Sequence, residues 1–204
     1  TQSDTSAGAG HVMRDAVLTY RQRAEDRYPV ARVTGHPAGT YVLATVHRAR
    51  NTDQLDRLEA IMDGLGRLES PVVLPAHPRT RERLEEIAVP ANVEVRAPVR
   101  YLEMLTLLGG ARAVCTDSGG LQREAYWCRV PCATLRPETE WPETTEGGWN
   151  RIVDVDPDAL VRAVEEPPDR TEPSGFGVPP RGETAYACVV EAMVEELGLA
   201  GDDV

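Results

Sequence analysis

Cys115-Thr116-Asp117-Ser118-Gly119-Gly120-Leu121-Gln122-Arg123-Glu124 decides how this chain is read. The apolar run Ala111 to Val114 precedes it and reads as a buried parallel strand. Leu121 to Trp127 follows and reads as a helix, so Ser118, Gly119 and Gly120 fall at a helix N-terminus. Unpaired N–H groups and the helix dipole make such a terminus a natural seat for an anion. Glycine lets a phosphate approach the backbone with no Cβ in the way. Glu124, one turn further on, has the wrong charge for phosphate but can accept hydrogen bonds from ribose hydroxyls. A diphosphate and a ribose together point to a nucleotide. No G-x-G-x-x-G is present to make the site a dinucleotide fold of the nicotinamide type.

The same strand–helix alternation extends outward in both directions. Val12 to Arg27 has the apolar spacing of an amphipathic helix, and Thr34 to Gly39 reads as a loop. Strands are expected at Tyr41–Val46, Val72–Ala76, Val93–Val95, Pro131–Leu135 and Arg151–Val155. Helices are expected at Thr52–Leu68 with Thr52 as N-cap, Arg79–Ile87, Tyr101–Leu108 ended by Gly109-Gly110, and Pro157–Glu165. The Pro- and Gly-rich stretch 166–182 reads as a long loop and 183–197 as a last amphipathic helix. This order predicts an α/β fold with a doubly wound, Rossmann-like parallel sheet. Residues 1–10 read as a flexible segment and 11–204 as the domain. Ligands of such sheets bind beyond the carboxyl ends of the strands. Four loops gather there: residues 45–48, 75–78, 97–100 and 116–120.

Bulk composition narrows the chemistry. The 204 residues carry a net charge of −11, which argues against nucleic acid or an anionic membrane surface as partner. All 22 basic residues are arginine, so neither a Schiff-base lysine nor a Walker lysine is available. Four cysteines form no C-x-x-C pair, and with four histidines they show no metal-ligand spacing. No run of membrane length occurs. A reduced, cytoplasmic setting and no cofactor or metal are the expectation.

Each local signal has a plainer reading beside it. Asp117 to Gly120 could be an ordinary capped strand–helix turn, His47 a structural histidine, and His77 before Pro78 a simple cap. Together, however, Val12-Met13-Arg14-Asp15-Ala16, His47-Arg48-Ala49-Arg50-Asn51-Thr52, Ala76-His77-Pro78, Thr116 to Glu124 and Thr139-Glu140-Trp141-Pro142-Glu143-Thr144 resemble, in order and spacing, the non-hydrolysing UDP-N-acetylglucosamine 2-epimerases. The resemblance implies one half, the C-terminal, of a two-domain GT-B architecture, with UDP and a UDP-sugar as ligands and the missing N-terminal half as partner. That family removes the C2 proton, eliminates UDP and adds it back on the other face, interconverting UDP-GlcNAc and UDP-ManNAc.

By the same resemblance His47 is the histidine beside the substrate diphosphate and the candidate catalytic residue, with Arg48 next to it. Ser118, Gly119 and Gly120 cradle the phosphates, Glu124 holds the ribose, and Met104 falls where uracil is contacted. His77 matches a histidine of an allosteric UDP-sugar site. The family's proton-transferring carboxylates lie in the other half, so this chain is expected to hold the leaving group and to be inactive alone. A homodimer is expected. Three positions depart from the family pattern: Arg50 stands for a glutamate, Arg123 for an acid, and Trp141 for an arginine in many members. A UDP-sugar glycosyltransferase half and a non-catalytic nucleotide-sugar-binding module remain as alternatives.

Overall fold

The computed structural model describes residues 11–166, Pro168 and Thr184. The loop and helix expected over 166–197 and the N-terminal segment 1–10 therefore lie outside the described residues, apart from Glu166, Pro168 and Thr184. Six parallel strands form one sheet: β1 (Val42–Thr45), β2 (Val72–Pro75), β3 (Val93–Arg96), β4 (Ala113–Thr116), β5 (Cys132–Thr134) and β6 (Asn150–Ile152). Their order is β3-β2-β1-β4-β5-β6, the doubly wound arrangement. The order reverses between β1 and β4, which pair from Val42↔Ala113 to Thr45↔Thr116. Every residue of both strands is buried, which is why they read as unbroken apolar runs rather than as alternation.

Helices cover both faces. On one side α4 (Leu55–Gly66) buries Leu58, Ile61, Met62 and Leu65, spaced as a single helical stripe, against α8 (Pro157–Glu165) and the sheet. On the other, α1 (Val12–Arg27), α6 (Tyr101–Gly110) and α7 (Gly119–Trp127) enclose Leu105, Leu107, Leu108 and Tyr126. Removing each such side chain from water contributes about 1.5–3 kcal/mol before entropy is counted. Short helices α2 (Val30–Thr34), α3 (Ala49–Thr52) and α5 (Pro78–Leu84) complete the layers, with a 3-10 segment over Pro142–Gly148.

Several expected boundaries move, each for a local reason. Thr52 does not cap a long helix. It ends α3, its hydroxyl donates to the Arg48 carbonyl at 3.2 Å, and α4 starts after Gln54. Asn51 and Thr52 are buried, and the Asn51 amide donates to the Asp117 carboxylate and the Leu135 carbonyl at 3.1 and 3.0 Å. Gly109 and Gly110 form the last residues of α6 rather than following it, so the helix ends two residues later than expected, with Gly110 against Val30 of α2. A Cβ on Gly110 would meet the Val30 side chain at 2.7 Å and the Tyr41 hydroxyl at 3.0 Å. Gly110→Ala is therefore expected to lower stability by about 1–3 kcal/mol in urea denaturation, since overpacking outweighs the gain in helix propensity. The strand expected to reach Val155 stops at Ile152, because the chain turns through Asp154 at φ 46°. That turn places the Asp154 carboxylate 2.5 Å from Arg57 of α4.

Candidate functional site

The reversal of strand order leaves a crevice above the ends of β1 and β4. Thr45 and Thr116 close its floor with a hydroxyl–hydroxyl bond of 2.6 Å. Asp117 follows β4 and is fully buried. Its carboxylate accepts from the backbone N–H of His47 (3.1 and 3.2 Å) and of Arg48 (2.9 Å), and from the Asn51 amide (3.1 Å). It also meets His47 Nδ1 at 2.8 Å. Burial pushes the Asp117 carboxyl up, but these bonds outweigh burial and hold it below the ordinary carboxylate range. The bond to Asp117 is the main reason the His47 imidazole is raised above its ordinary value. With Nδ1 so engaged, Nε2 is left for a ligand.

The pair makes a signed prediction. A raised His47 lends stability that is fully present below about pH 6.5 and lost as pH rises through its folded value. The depressed Asp117 lends stability present above about pH 4 and lost as pH falls through its folded value. In melts across that range, His47→Gln should selectively flatten the alkaline decline. An unchanged alkaline slope would contradict the pairing.

The cleft itself has a volume of about 630 Å³. His47, His77, Met104, Ser118, Gly120 and Glu124 line it, joined by Tyr101 and Arg79. Ser118 caps α7 by accepting from the Leu121 N–H at 3.4 Å, so the first turn of the helix opens into the cleft. Glu124 is only 7% exposed. It accepts one long hydrogen bond, 3.3 Å, from the Tyr101 hydroxyl. Burial raises the Glu124 carboxyl above its ordinary value, against the opposing pulls of Tyr101 and Arg123. Burial and Glu124 in turn push the Tyr101 phenol up to about 12, so it stays a donor. The site thus holds a desolvated carboxylate short of donors beside a helix end short of acceptors. A ribose diphosphate supplies both.

Not every expected residue faces this cleft. Gly119 begins α7 but is not among the residues lining the cleft, and a Cβ there would lie 3.0 Å from Glu140 Oε2. Arg48 lies beyond the cleft, with Nε donating to the Asp117 carbonyl at 3.1 Å. His77 both lines the cleft and caps α5, its Nδ1 accepting from the Arg79 N–H at 3.4 Å. Asp117, Tyr101 and Arg79 are among the contributors that carried no assigned role in the sequence. Asp117 stood inside the decisive motif, and only its fixed place after a strand could have marked it.

The departures at 123 and 141 prove to be one contact. The Arg123 guanidinium sits 4.0 Å above the Trp141 ring and 5.8 Å from that of Trp127. Its charge is held over aromatic faces, on the side of α7 away from the cleft lining.

Comparison with known proteins gives the family. The family model described as UDP-N-acetylglucosamine 2-epimerase matches residues 7–176. A Pseudomonas aeruginosa UDP-2,3-diacetamido-2,3-dideoxy-D-glucuronate 2-epimerase is 42% identical over 157 residues, covering 76% of this chain and 43% of that protein. A UDP-N-acetylglucosamine 2-epimerase homolog of Methanococcus maripaludis is 38% identical over 164 residues, covering 77% and 46%. The crystal structure of the Methanocaldococcus jannaschii UDP-GlcNAc 2-epimerase in complex with UDP-GlcNAc and UDP superposes with a TM-score of 0.77 at 32% identity, covering 92% of this chain and 54% of that one. The chain spans about half the length of the relatives it matches. Family match, fold and site motifs coincide, and the chain belongs to the UDP-N-acetylglucosamine 2-epimerase family.

Proposed function

We propose that this chain is the UDP-binding half of a UDP-sugar 2-epimerase. The observation that carries the reading is the convergence of buried Glu124, the open first turn of α7 and His47 on one cleft. Glu124 takes the ribose hydroxyls, replacing the single long bond from Tyr101. The N–H groups at the start of α7 take the diphosphate. Met104 and Tyr101 border the base.

In the reaction this half stabilises the departing UDP. Negative charge grows on the diphosphate as the bond from the sugar C1 breaks. The imidazolium of His47, fixed through Nδ1 by Asp117, presents Nε2 as a charged donor to that oxygen. The helix dipole acts in the same sense and needs no reorganisation. The acid and base that exchange the C2 proton come from the other half of the two-domain enzyme, so this half alone binds without turnover. Relatives about twice as long as the matched segment support that division. Arg123 departs from the family pattern but lies over Trp141 and outside the cleft lining, which supports the epimerase-half reading over a purely non-catalytic module.

The test is calorimetric titration of the chain with UDP and with ADP. Saturable binding of UDP in preference to ADP is the expected result. A folded chain that gives no heat with UDP overturns the reading.

A further inference from the structure

A chain of hydrogen bonds crosses the carboxyl ends of the strands, from β6 at one end of the strand order to the loop after β1. It begins at Asp154, held at φ 46° in the turn after β6. That left-handed backbone costs any residue with a Cβ, and aspartate bears it more readily than most. The Asp154 carboxylate accepts from both arms of the Arg57 guanidinium, Nη2 at 2.5 Å and Nη1 at 3.4 Å. Arg57 also donates from Nε and Nη2, both at 3.1 Å, to Asn51 Oδ1. Asn51 Nδ2 donates to Asp117 Oδ2 at 3.1 Å and to the Leu135 carbonyl at 3.0 Å. Asp117 Oδ1 ends the chain at His47 Nδ1, 2.8 Å away.

The Asn51 amide, 2% exposed, has one workable orientation in this chain. Turned over, its NH₂ would face the guanidinium, and its oxygen would face a carboxylate and a carbonyl. Arg57 fixes the orientation, since it supplies both donors to Oδ1 among the described residues. The Arg57 side chain is 12% exposed and does not line the nucleotide cleft. A charge so far withdrawn from water needs Asp154 beside it. Among the described residues Arg57 gives all four of its side-chain hydrogen bonds to Asn51 and Asp154. Its route to His47 therefore runs through the amide.

We propose that Arg57, held by Asp154, is a positioning residue that acts through Asn51 and Asp117 to aim the His47 imidazole into the nucleotide cleft. This rests on the UDP-binding reading above and deepens it. With Arg57 in place the amide braces Asp117 Oδ2, and the carboxylate keeps Oδ1 for the histidine. Nδ1–H is then the fixed donor to Asp117, and Nε2 is left for the diphosphate. Without Arg57 the amide is free to rotate, Asp117 loses one of its anchors, and the ring is no longer held to one tautomer.

The experiment compares the unaltered chain with Arg57→Met, which keeps the stem and removes the donors, and with Arg57→Lys, whose single ammonium cannot reproduce the fork. UDP affinity is measured by titration calorimetry, with each substitution made also in the His47→Ala background. The tautomer of the neutral His47 ring is read from its nitrogen resonances. Arg57→Met is expected to weaken UDP binding roughly three- to tenfold, about the worth of one net hydrogen bond. The loss should be smaller in Arg57→Lys and should vanish when His47 is absent. The ring should be Nδ1–H in the unaltered chain and a mixture of tautomers in Arg57→Met. Full affinity in a folded variant, or an equal loss in the His47→Ala background, makes Arg57 merely structural and overturns the proposal. A His47 tautomer that does not change overturns it too. If Arg57→Met fails to fold, Arg57→Lys and Asp154→Asn are read against the same outcomes. An unaltered chain that binds no UDP removes the cleft reading, and the His47 tautomer then decides the positioning role by itself.

Discussion

Replacing Glu124 by alanine is expected to weaken UDP binding on the order of a hundredfold while leaving the free protein at least as stable as before. Both halves follow from the same surroundings. Glu124 is 7% exposed, and among the described residues its carboxylate accepts only the 3.3 Å bond from Tyr101. A buried charge so poorly matched costs the folded state. The sign of its titration agrees. Burial raises the Glu124 carboxyl, so the stability it lends is complete only below the ordinary glutamate value and is lost as pH rises through the folded one. At neutral pH the site carries that penalty, and ribose hydroxyls relieve it. Two hydrogen bonds to a charged acceptor, each at the low end of about 1.5–3 kcal/mol, together make about 3 kcal/mol, which is roughly the hundredfold loss. Glu124→Gln should fall between, since its amide still accepts but without charge. Titration calorimetry and urea denaturation of the same variants measure the two effects. A variant that binds UDP normally, or that binds poorly only because it is unfolded, would remove Glu124 from the ribose site.

Asp117→Ala is expected to cost about 3–5 kcal/mol of stability, a large part of the roughly 5–15 kcal/mol that holds a domain together. The carboxylate collects two backbone N–H groups, the Asn51 amide and the His47 ring in a fully buried position. Removing it leaves those donors unmatched and a cavity where they met. Asparagine is no rescue, because its NH₂ group would face donors. Urea denaturation measures the loss, and the His47 ring titration by NMR should shift down in Asp117→Asn. A small stability change with an unmoved His47 would show that the 47–51 loop is held by other contacts.

The sheet was legible because its central strands are buried on both faces, and Val42 to Thr45 and Ala113 to Thr116 therefore read as apolar runs. The helix at Pro157–Glu165 was legible to the residue, since Asp156 caps it and Pro157 starts it. The five residues of α2 were not, because so short a helix forms only by packing and leaves no periodicity to read. The same divide runs through the site. Ser118, Gly120 and Glu124 announce themselves by local spacing along one helix start. Asp117 gains its meaning only when a loop some seventy positions earlier comes to it. Arg123 and Trp141 are two separate oddities along the chain and a single stacked pair in space.

The Asp117 link also fixes when the site comes into being. His47, Arg48 and Asn51 depend on an anchor that lies 66–70 residues later in the chain. As the chain is synthesised, β1 and its following loop exist long before β4 reaches them. A long loop must close before that contact repays its entropy. The ligand-holding surface is thus incomplete until β4 has been made and joined to β1. A nascent chain that stops short of Asp117 has the histidine but nothing to aim it.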